Sequence, residues 1–550
     1  MTKTDAGGGL GRASALLASG TFVSRILGFV SAAVLARAIG ITGAGADTFA
    51  IANQLPNNIY AIIAGGLLSA VLVPQIVKAG MHDDGGQRFI NRLVTLGLAV
   101  FLLAAIAATV AAPWLVSIYS RQSADGSTGF SPDEMALATA FAYWCLPQVL
   151  FYAIYSLLGE VLNARKVFGP FTWTPVLNNL VAIAGMVVFI IAFGGDPTHE
   201  DASTWTGPMI ALLAGSATLG IAVQGLGLFY FWRRAGLTYR PDFHWRGVGL
   251  GATGKAASWV FGMIVVTQLA GIVQSNVAST AGGSGDASVR VLSLSWLIFM
   301  LPHSIVAVSI ATAYFTRMST HAHDGNLDGV RSDFSASMRS IGLIMVFSAV
   351  GLIVLAYPFS AVFDSDFDDV RSMAFVVMAY LVGLVPFSIL FLIQRTFYSL
   401  NDTRTPFFLQ VFQSVLFVLG ALVVMGFERE WIAVGIAAVT SLAGSAQAVV
   451  AAIMLRRRLG RIDAARILRR YALFALAALP AAAVGVTLLF ALGGTTEDGF
   501  AVANAVTAVP SMVLIGGAMA VVYAAVLVAF RNPELGEIVR PIVRRLRNRG

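Results

Sequence analysis

Charge is scarce in this chain. Only 12% of its 550 residues are Asp, Glu, Lys or Arg, against roughly 25% in an average globular protein. So few charges cannot cover a water-soluble surface of that size, which excludes a set of soluble domains and points to a bilayer as solvent. Cysteine is almost missing. Cys145 stands alone, so no internal disulfide forms and cysteine usage says nothing about redox compartment. A cleavable signal peptide is not evident, because the first apolar segment is too long for a signal core and carries Arg25 in its middle.

Signatures of bound cofactors are missing too. Gly249-Leu250-Gly251-Ala252-Thr253-Gly254 matches GxGxxG and is followed by Lys255, but Ala256 stands where a phosphate-binding loop needs a hydroxyl, and no strand precedes the run. It reads as a flexible lead into a helix. His321-Ala322-His323-Asp324 has no distant partner with which to hold a metal. No nucleophile–base arrangement is discernible. Neither a cofactor nor an enzymatic activity is expected.

What the chain has is apolar residues, 57% of the total. A spanning helix needs roughly 20 of them in a row, since the hydrocarbon is about 30 Å thick and a helix rises 1.5 Å per residue. Thirteen windows free of Asp, Glu, Lys and Arg qualify: 48–77, 93–120, 135–159, 167–195, 202–232, 256–285, 291–316, 340–363, 372–394, 405–427, 431–455, 471–496 and 499–530. A fourteenth, 13–36, is interrupted only by Arg25. The prediction is an all-α, polytopic membrane protein with about fourteen transmembrane helices.

Fourteen spans put both termini on one side. That side, together with the even-to-odd connections, holds 30 of the 36 Lys and Arg, while the other holds 16 of the 28 acids. Positive charge collects on the inner face of a membrane, so both ends are expected in the cytoplasm and the protein in the cytoplasmic membrane. The arginines from Arg456 to Arg470, and the tail from Arg540 to Arg549, read as topogenic charge resting on anionic membrane lipids. Nucleic acid is not expected as a partner, despite the net charge of +8.

A repeat runs through the helices. Leu55-Pro56-Asn57 matches Leu301-Pro302-His303, and Leu162-Asn163-Ala164-Arg165 with Gly169-Pro170-Phe171 matches Leu400-Asn401-Asp402 with Thr405-Pro406-Phe407. Each pair is six helices apart, an even number that preserves orientation, which predicts two pseudo-symmetric six-helix lobes related in parallel. The expected divisions are 1–235, 246–460, a helix pair at 467–531 outside the repeat, and a basic tail at 532–550.

The candidate substrate-binding residues are Arg25, Asn53, Asn57, Glu160 and His303. Arg25 lies about twelve residues from either end of its span, where a charge costs at least about 2.5 kcal/mol. Its head would have to reach roughly 15 Å to leave the membrane, so it must face protein or water. Thr21, Arg25, Gly28 and Ala32 share one stripe of that helix. The arginine either pairs with a neighbouring helix, with Asp47 or Glu160 as partners, or contacts an anion. Asn53 and Asn57 share a face of helix 2, and His303 lies at similar depth in helix 8. Such residues serve equally as interhelical hydrogen bonds or as ligand contacts. Glu160, near the cytoplasmic end of helix 4, either reaches the interface, pairs with Arg165, or joins the site.

Several motifs carry a family resemblance. Ser24-Arg25-Ile26-Leu27-Gly28-Phe29, Ala52-Asn53-Gln54-Leu55-Pro56-Asn57 with Gly65-Gly66 and Val73-Pro74, and Leu162-Asn163-Ala164-Arg165 with Phe168 come first. Thr174-Pro175-Val176-Leu177-Asn178-Asn179 and Phe397-Tyr398-Ser399-Leu400-Asn401-Asp402-Thr403-Arg404-Thr405-Pro406 follow in the same order. Through helix 14 the chain resembles the MurJ/MviN family of lipid II flippases. The resemblance implies the multidrug/oligosaccharidyl-lipid/polysaccharide exporter superfamily, two lobes around a cationic cavity, and a lipid-tail groove formed by helices 13 and 14. It implies transfer of lipid II, an undecaprenyl-diphosphate-linked disaccharide-peptide, from the inner to the outer leaflet by alternating access. Cell-wall synthesis proteins are the further partners it suggests. The chain departs from many relatives at Ser31-Ala32, Asn58-Ile59-Tyr60 and Trp296-Leu297, where basic residues are usual; this pattern looks actinobacterial. The competing readings are another exporter of the superfamily, a non-transporting scaffold, and a membrane glycosyltransferase. The extra helix pair, the buried Arg25 and the lack of sizeable outer loops speak against them in turn.

Overall fold

The computed structural model describes residues 5–67, 86–123, 129–165, 167, 169–244, 254–282 and 286–536. Val73-Pro74, Phe168, residues 249–253 of the glycine run and the tail from 537 onward lie outside them. The described residues form two compact units, Met1–Gly285 and Asp286–Gly550. The first unit contains α1 (Asp5–Ile39), α2 (Gly43–Leu67), α3 (Gln87–Val110), α4 (Ala112–Tyr119), α5 (Pro132–Cys145), α6 (Gln148–Ala164), α7 (Gly169–Phe193), α8 (Gly207–Arg234) and α9 (Gly254–Ala278). The second contains α10 (Val289–Pro302), α11 (Val308–His323), α12 (Leu327–Val354), α13 (Ala356–Ser360), α14 (Phe367–Leu381), α15 (Leu384–Ser399), α16 (Arg404–Val424), α17 (Arg429–Leu459), α18 (Ala464–Ala491) and α19 (Ala505–Ala529).

The chain is an all-α multi-pass membrane protein. Among the described residues, 12 helical stretches are long and apolar enough to cross a bilayer, or 13 if α14 and α15, bent by 41° at their junction, count as one span. The remaining predicted span is α2. It forms over 25 residues, but Asp47, Asn53, Gln54, Asn57 and Asn58 make its described part too polar to qualify on composition. Apolarity alone therefore undercounts a helix whose polar groups are used inside the protein.

Prolines break several spans, and hydroxyls from neighbouring helices repair the damage. A proline donates no N–H, so carbonyls in the preceding turn lose their helical partner. Between α5 and α6, at Pro147, the Thr218 hydroxyl of α8 donates to the Trp144 carbonyl at 2.8 Å. At the bend between α14 and α15, where the Gly383 N–H turns from the Ala379 carbonyl to that of Tyr380, the Ser441 hydroxyl of α17 is 2.7 Å from the Ala379 carbonyl and 3.0 Å from that of Tyr380. The same device thus recurs in both units. The two Leu-Pro motifs of the repeat differ: Pro56 lies inside continuous α2, whereas Pro302 ends α10 and leads into the π-turn His303–Ala307.

Glycine permits the closest approach in the first unit. A Cβ on Gly185 of α7 would stand 2.2 Å from that of Ser216, and one on Gly220 of α8 2.4 Å from Asn178 Oδ1. Without a hydrophobic drive between helices in lipid, such small-residue contacts supply the packing. After α8 the loop turns back onto α3, where Asp242 pairs with Arg92 at 2.9 Å and with His244 at 2.8 Å. Hydrogen bonds from the His244 backbone and ring, then from Arg92, hold the Asp242 carboxyl down at about 2.

The last two helices lean on α12. Phe474, Ala477, Ala481, Ile515 and Met519 are buried there with Leu343 and Val354. Tyr471 and Tyr523 donate their hydroxyls to the Met338 and Leu343 carbonyls at 2.9 and 2.8 Å. Beyond α19, buried Glu534 meets Arg339 of α12 at 3.1 Å and Arg470 of α18 at 3.5 Å. Two cations on one carboxylate offset part of its burial cost.

Candidate functional site

α1 joins the first unit through a face of small residues. Asn179 of α7 donates to the Ser24 carbonyl at 2.9 Å, and a Cβ on Gly28 would lie 3.7 Å from the same nitrogen. Ser24 and Gly28 are four residues apart, hence on one face. Arg25 comes one residue later, about 100° around the axis, which takes its side chain off that contact. It is exposed, between exposed Phe22 and Ile26. Among the described residues no hydrogen bond or ion pair reaches its guanidinium, and neither Asp47 nor Glu160 pairs with it. The structural-pair expectation is not met.

Asn53 has a different occupation. Gln148, fully buried at the start of α6, extends its Nε2 towards Asn53 Oδ1 at 3.3 Å and Thr218 Oγ1 at 2.9 Å. Thr218 in turn repairs the break at Pro147, so Asn53 is the α2 end of a network that secures that kink. Asn57, one turn further along α2, is exposed. Asn58, next to it, is buried.

Glu160 is half-buried on α6. The expected pair with Arg165 does not form, and Glu160 has no ion-pair partner among the described residues. No direct contact joins Arg25, Asn57 and Glu160 there.

His303 belongs to the second unit and is buried. Its Nδ1 is 3.0 Å from the Ser388 hydroxyl of α15, and its ring stands edge-on to Phe387 at 4.6 Å and Phe391 at 5.2 Å. The π-turn after Pro302 aims the ring into this helix contact. Trp296, where the resemblance implies a basic residue, stacks on Phe299 at 4.8 Å and meets Tyr380 and Phe387 edge-on. Sequence reasoning missed Gln148 and Thr218. A polar residue directly after Pro147 was the available signal, because a proline break creates carbonyls that need donors.

The arrangement offers an unpaired guanidinium and an exposed amide on membrane helices, a chemistry suited to holding an anion. The family model described as Lipid II flippase MurJ matches residues 35–508. The chain belongs to the lipid II flippase MurJ family. It is 27% identical over 482 residues to the probable lipid II flippase MurJ of Haemophilus influenzae, covering 84% of this chain and 88% of that one. With the probable lipid II flippase MurJ of Rhizobium meliloti it shares 26% over 485 residues, 86% of each chain. Its fold is similar to a solved lipid II flippase MurJ in an inward closed conformation, with a TM-score of 0.70 at 20% identity over 94% of this chain and 99% of that one. An inward-facing multidrug resistance MATE family transporter of the MOP superfamily superposes with a TM-score of 0.59 at 16% identity, covering 81% of this chain and 93% of that one.

Proposed function

We propose that this MurJ-family chain moves lipid II from the inner to the outer leaflet of the cytoplasmic membrane, by alternating access between two lobes, 1–235 and 246–460. Both termini lie in the cytoplasm. α18 and α19 hold the lipid tail, and cell-wall synthesis proteins are its partners. The observation that carries the reading is Arg25: a guanidinium within a membrane span, exposed and without a carboxylate among the described residues. An unpaired ionised group in hydrocarbon costs tens of kcal/mol by Born estimates, so a diphosphate headgroup does not cross unaided. A hydrated path with a cation at mid-depth lowers that barrier, while the polyprenyl chain stays in lipid. Each anionic charge moving outward against a negative interior gains about 2.3 kcal/mol per 100 mV, a drive that needs no ATP.

The experiment is depletion of the endogenous flippase in a host cell, rescue with this chain, and a leaflet assay for lipid II. Rescue with lipid II reaching the outer leaflet supports the reading. Rescue of membrane insertion without lipid II exposure sinks it.

A further inference from the structure

We propose that the second unit carries its own contact for the diphosphate of a lipid-linked substrate, formed by Arg395 of α15 and the hydroxyl ladder of α11. This rests on the flippase reading above and names a part of the headgroup path.

Arg395 is half-buried about one turn inside the C-terminal end of α15, which closes at Ser399. Its guanidinium carbon lies 5.1 Å from the centre of the Phe391 ring and 5.6 Å from that of Phe315 on α11. These rings hold the cation through its charge but accept no conventional hydrogen bond. Among the described residues the N–H donors of Arg395 meet neither a carboxylate nor a carbonyl. A guanidinium has five donors in a fixed fork that matches phosphate oxygens. Positioned by two rings and left with its donors unused, it is prepared for an anion.

The second observation lies beside it on α11. Ser309, Thr312, Thr316 and Thr320 are all exposed, and their spacing of three and four residues puts them on one helical face. Phe315 sits at the flank of that face, three residues from Thr312. The ladder spans twelve residues, Ser309 to Thr320, about 16 Å of helix, within the apolar span Val289–His323. Each hydroxyl donates to a carbonyl one turn earlier: Ser309 to Ile305, Thr312 to Val308, Thr316 to Thr312 and Thr320 to Thr316. Those carbonyls also accept a helix N–H, so a hydroxyl can swing towards a passing phosphate without orphaning its partner. One fixed cation and a row of movable donors suit a diphosphate that binds and then moves on.

The test uses the full-length chain in vesicles, with undecaprenyl diphosphate, phosphatidylglycerol and inorganic pyrophosphate as separate probes for binding, and fluorescent lipid II for flipping. Losing a charge-assisted contact should weaken undecaprenyl diphosphate binding by roughly tenfold to a hundredfold in Arg395→Ala, with phosphatidylglycerol binding unchanged and part of the affinity restored in Arg395→Lys. Inorganic pyrophosphate should compete with undecaprenyl diphosphate on the wild type and not on Arg395→Ala. The double variant Thr312→Val, Thr316→Val keeps the shape and removes two donors, and should slow flipping several-fold; it carries the test if Arg395→Ala does not accumulate. Wild-type binding by both variants while the wild type flips lipid II overturns this contact and leaves the flippase reading intact. An equal loss for phosphatidylglycerol also overturns it, making Arg395 a general anionic-lipid contact. A wild-type chain that neither binds the diphosphate nor flips lipid II overturns both.

Discussion

Two polar residues of the first unit have opposite surroundings, and these predict opposite effects of mutation. Arg25 has no partner among the described residues, so removing it takes away the cost of a charge at membrane depth and no visible structural contact. Arg25→Ala is expected to insert and accumulate normally while failing to complement a flippase-depleted strain. Arg25→Lys should complement in part, because lysine keeps the charge and loses the fork. Loss of the protein from the membrane in Arg25→Ala would instead reveal a structural role. Asn53 sits at the end of the Gln148–Thr218 network. Asn53→Ala should therefore destabilise the protein by about 1–3 kcal/mol, the cost of leaving a buried partner unsatisfied, whereas Asn57→Ala, at an exposed site, should leave thermal unfolding in detergent unchanged. A similar shift for both variants would contradict the assignment.

At the scale of the element, stretches of apolar residues announced nearly every helix, because the bilayer imposes one length on all of them. α2 was legible as a helix and not as an apolar one. Its Asn53 is spent on a neighbouring helix, through Gln148 of α6, which composition cannot show. His303 was less legible: the repeat placed it level with Asn57, but the π-turn after Pro302 rotates it into the α15 contact. A turn of that kind depends on tertiary packing and leaves no periodic signal. Element ends yield a further prediction. Glu534 is buried between Arg339 and Arg470, and Glu534→Gln leaves two arginines without their counter-charge. That should cost roughly 3 kcal/mol, seen as a lower unfolding midpoint and easier proteolysis after α19. An unchanged midpoint would show that the ion pairs do not fasten the last two helices.

For the whole molecule, the charge distribution predicts the orientation that the transport direction requires. Cys145 is the single native cysteine and is buried, so added cysteines report with little background. Cysteines at exposed Ser203 and Asp366 should react with an impermeant thiol reagent in intact cells, and one at exposed Asp463 should not. Labelling at 463 from outside would invert the topology and with it the sign of the electrical drive. Family membership was legible from ordered motifs spread along the chain. The proposed headgroup contact was not, because Arg395 meets Phe315 of α11 only through the packing of α11 against α15.

Transport of lipid II across the bilayer by this chain is measured as lipid II flipping by the purified full-length protein in vesicles. Labelled lipid II is placed in one leaflet, and its arrival in the other is followed with and without a potassium diffusion potential. The wild type should move it, faster when the potential drives the anionic headgroup in the transport direction, and Arg25→Ala should fall to the rate of protein-free vesicles. Lipid II that stays in its leaflet with the wild type present would contradict transport by this chain, and lipid II that crosses equally fast with Arg25→Ala would contradict a role for that guanidinium.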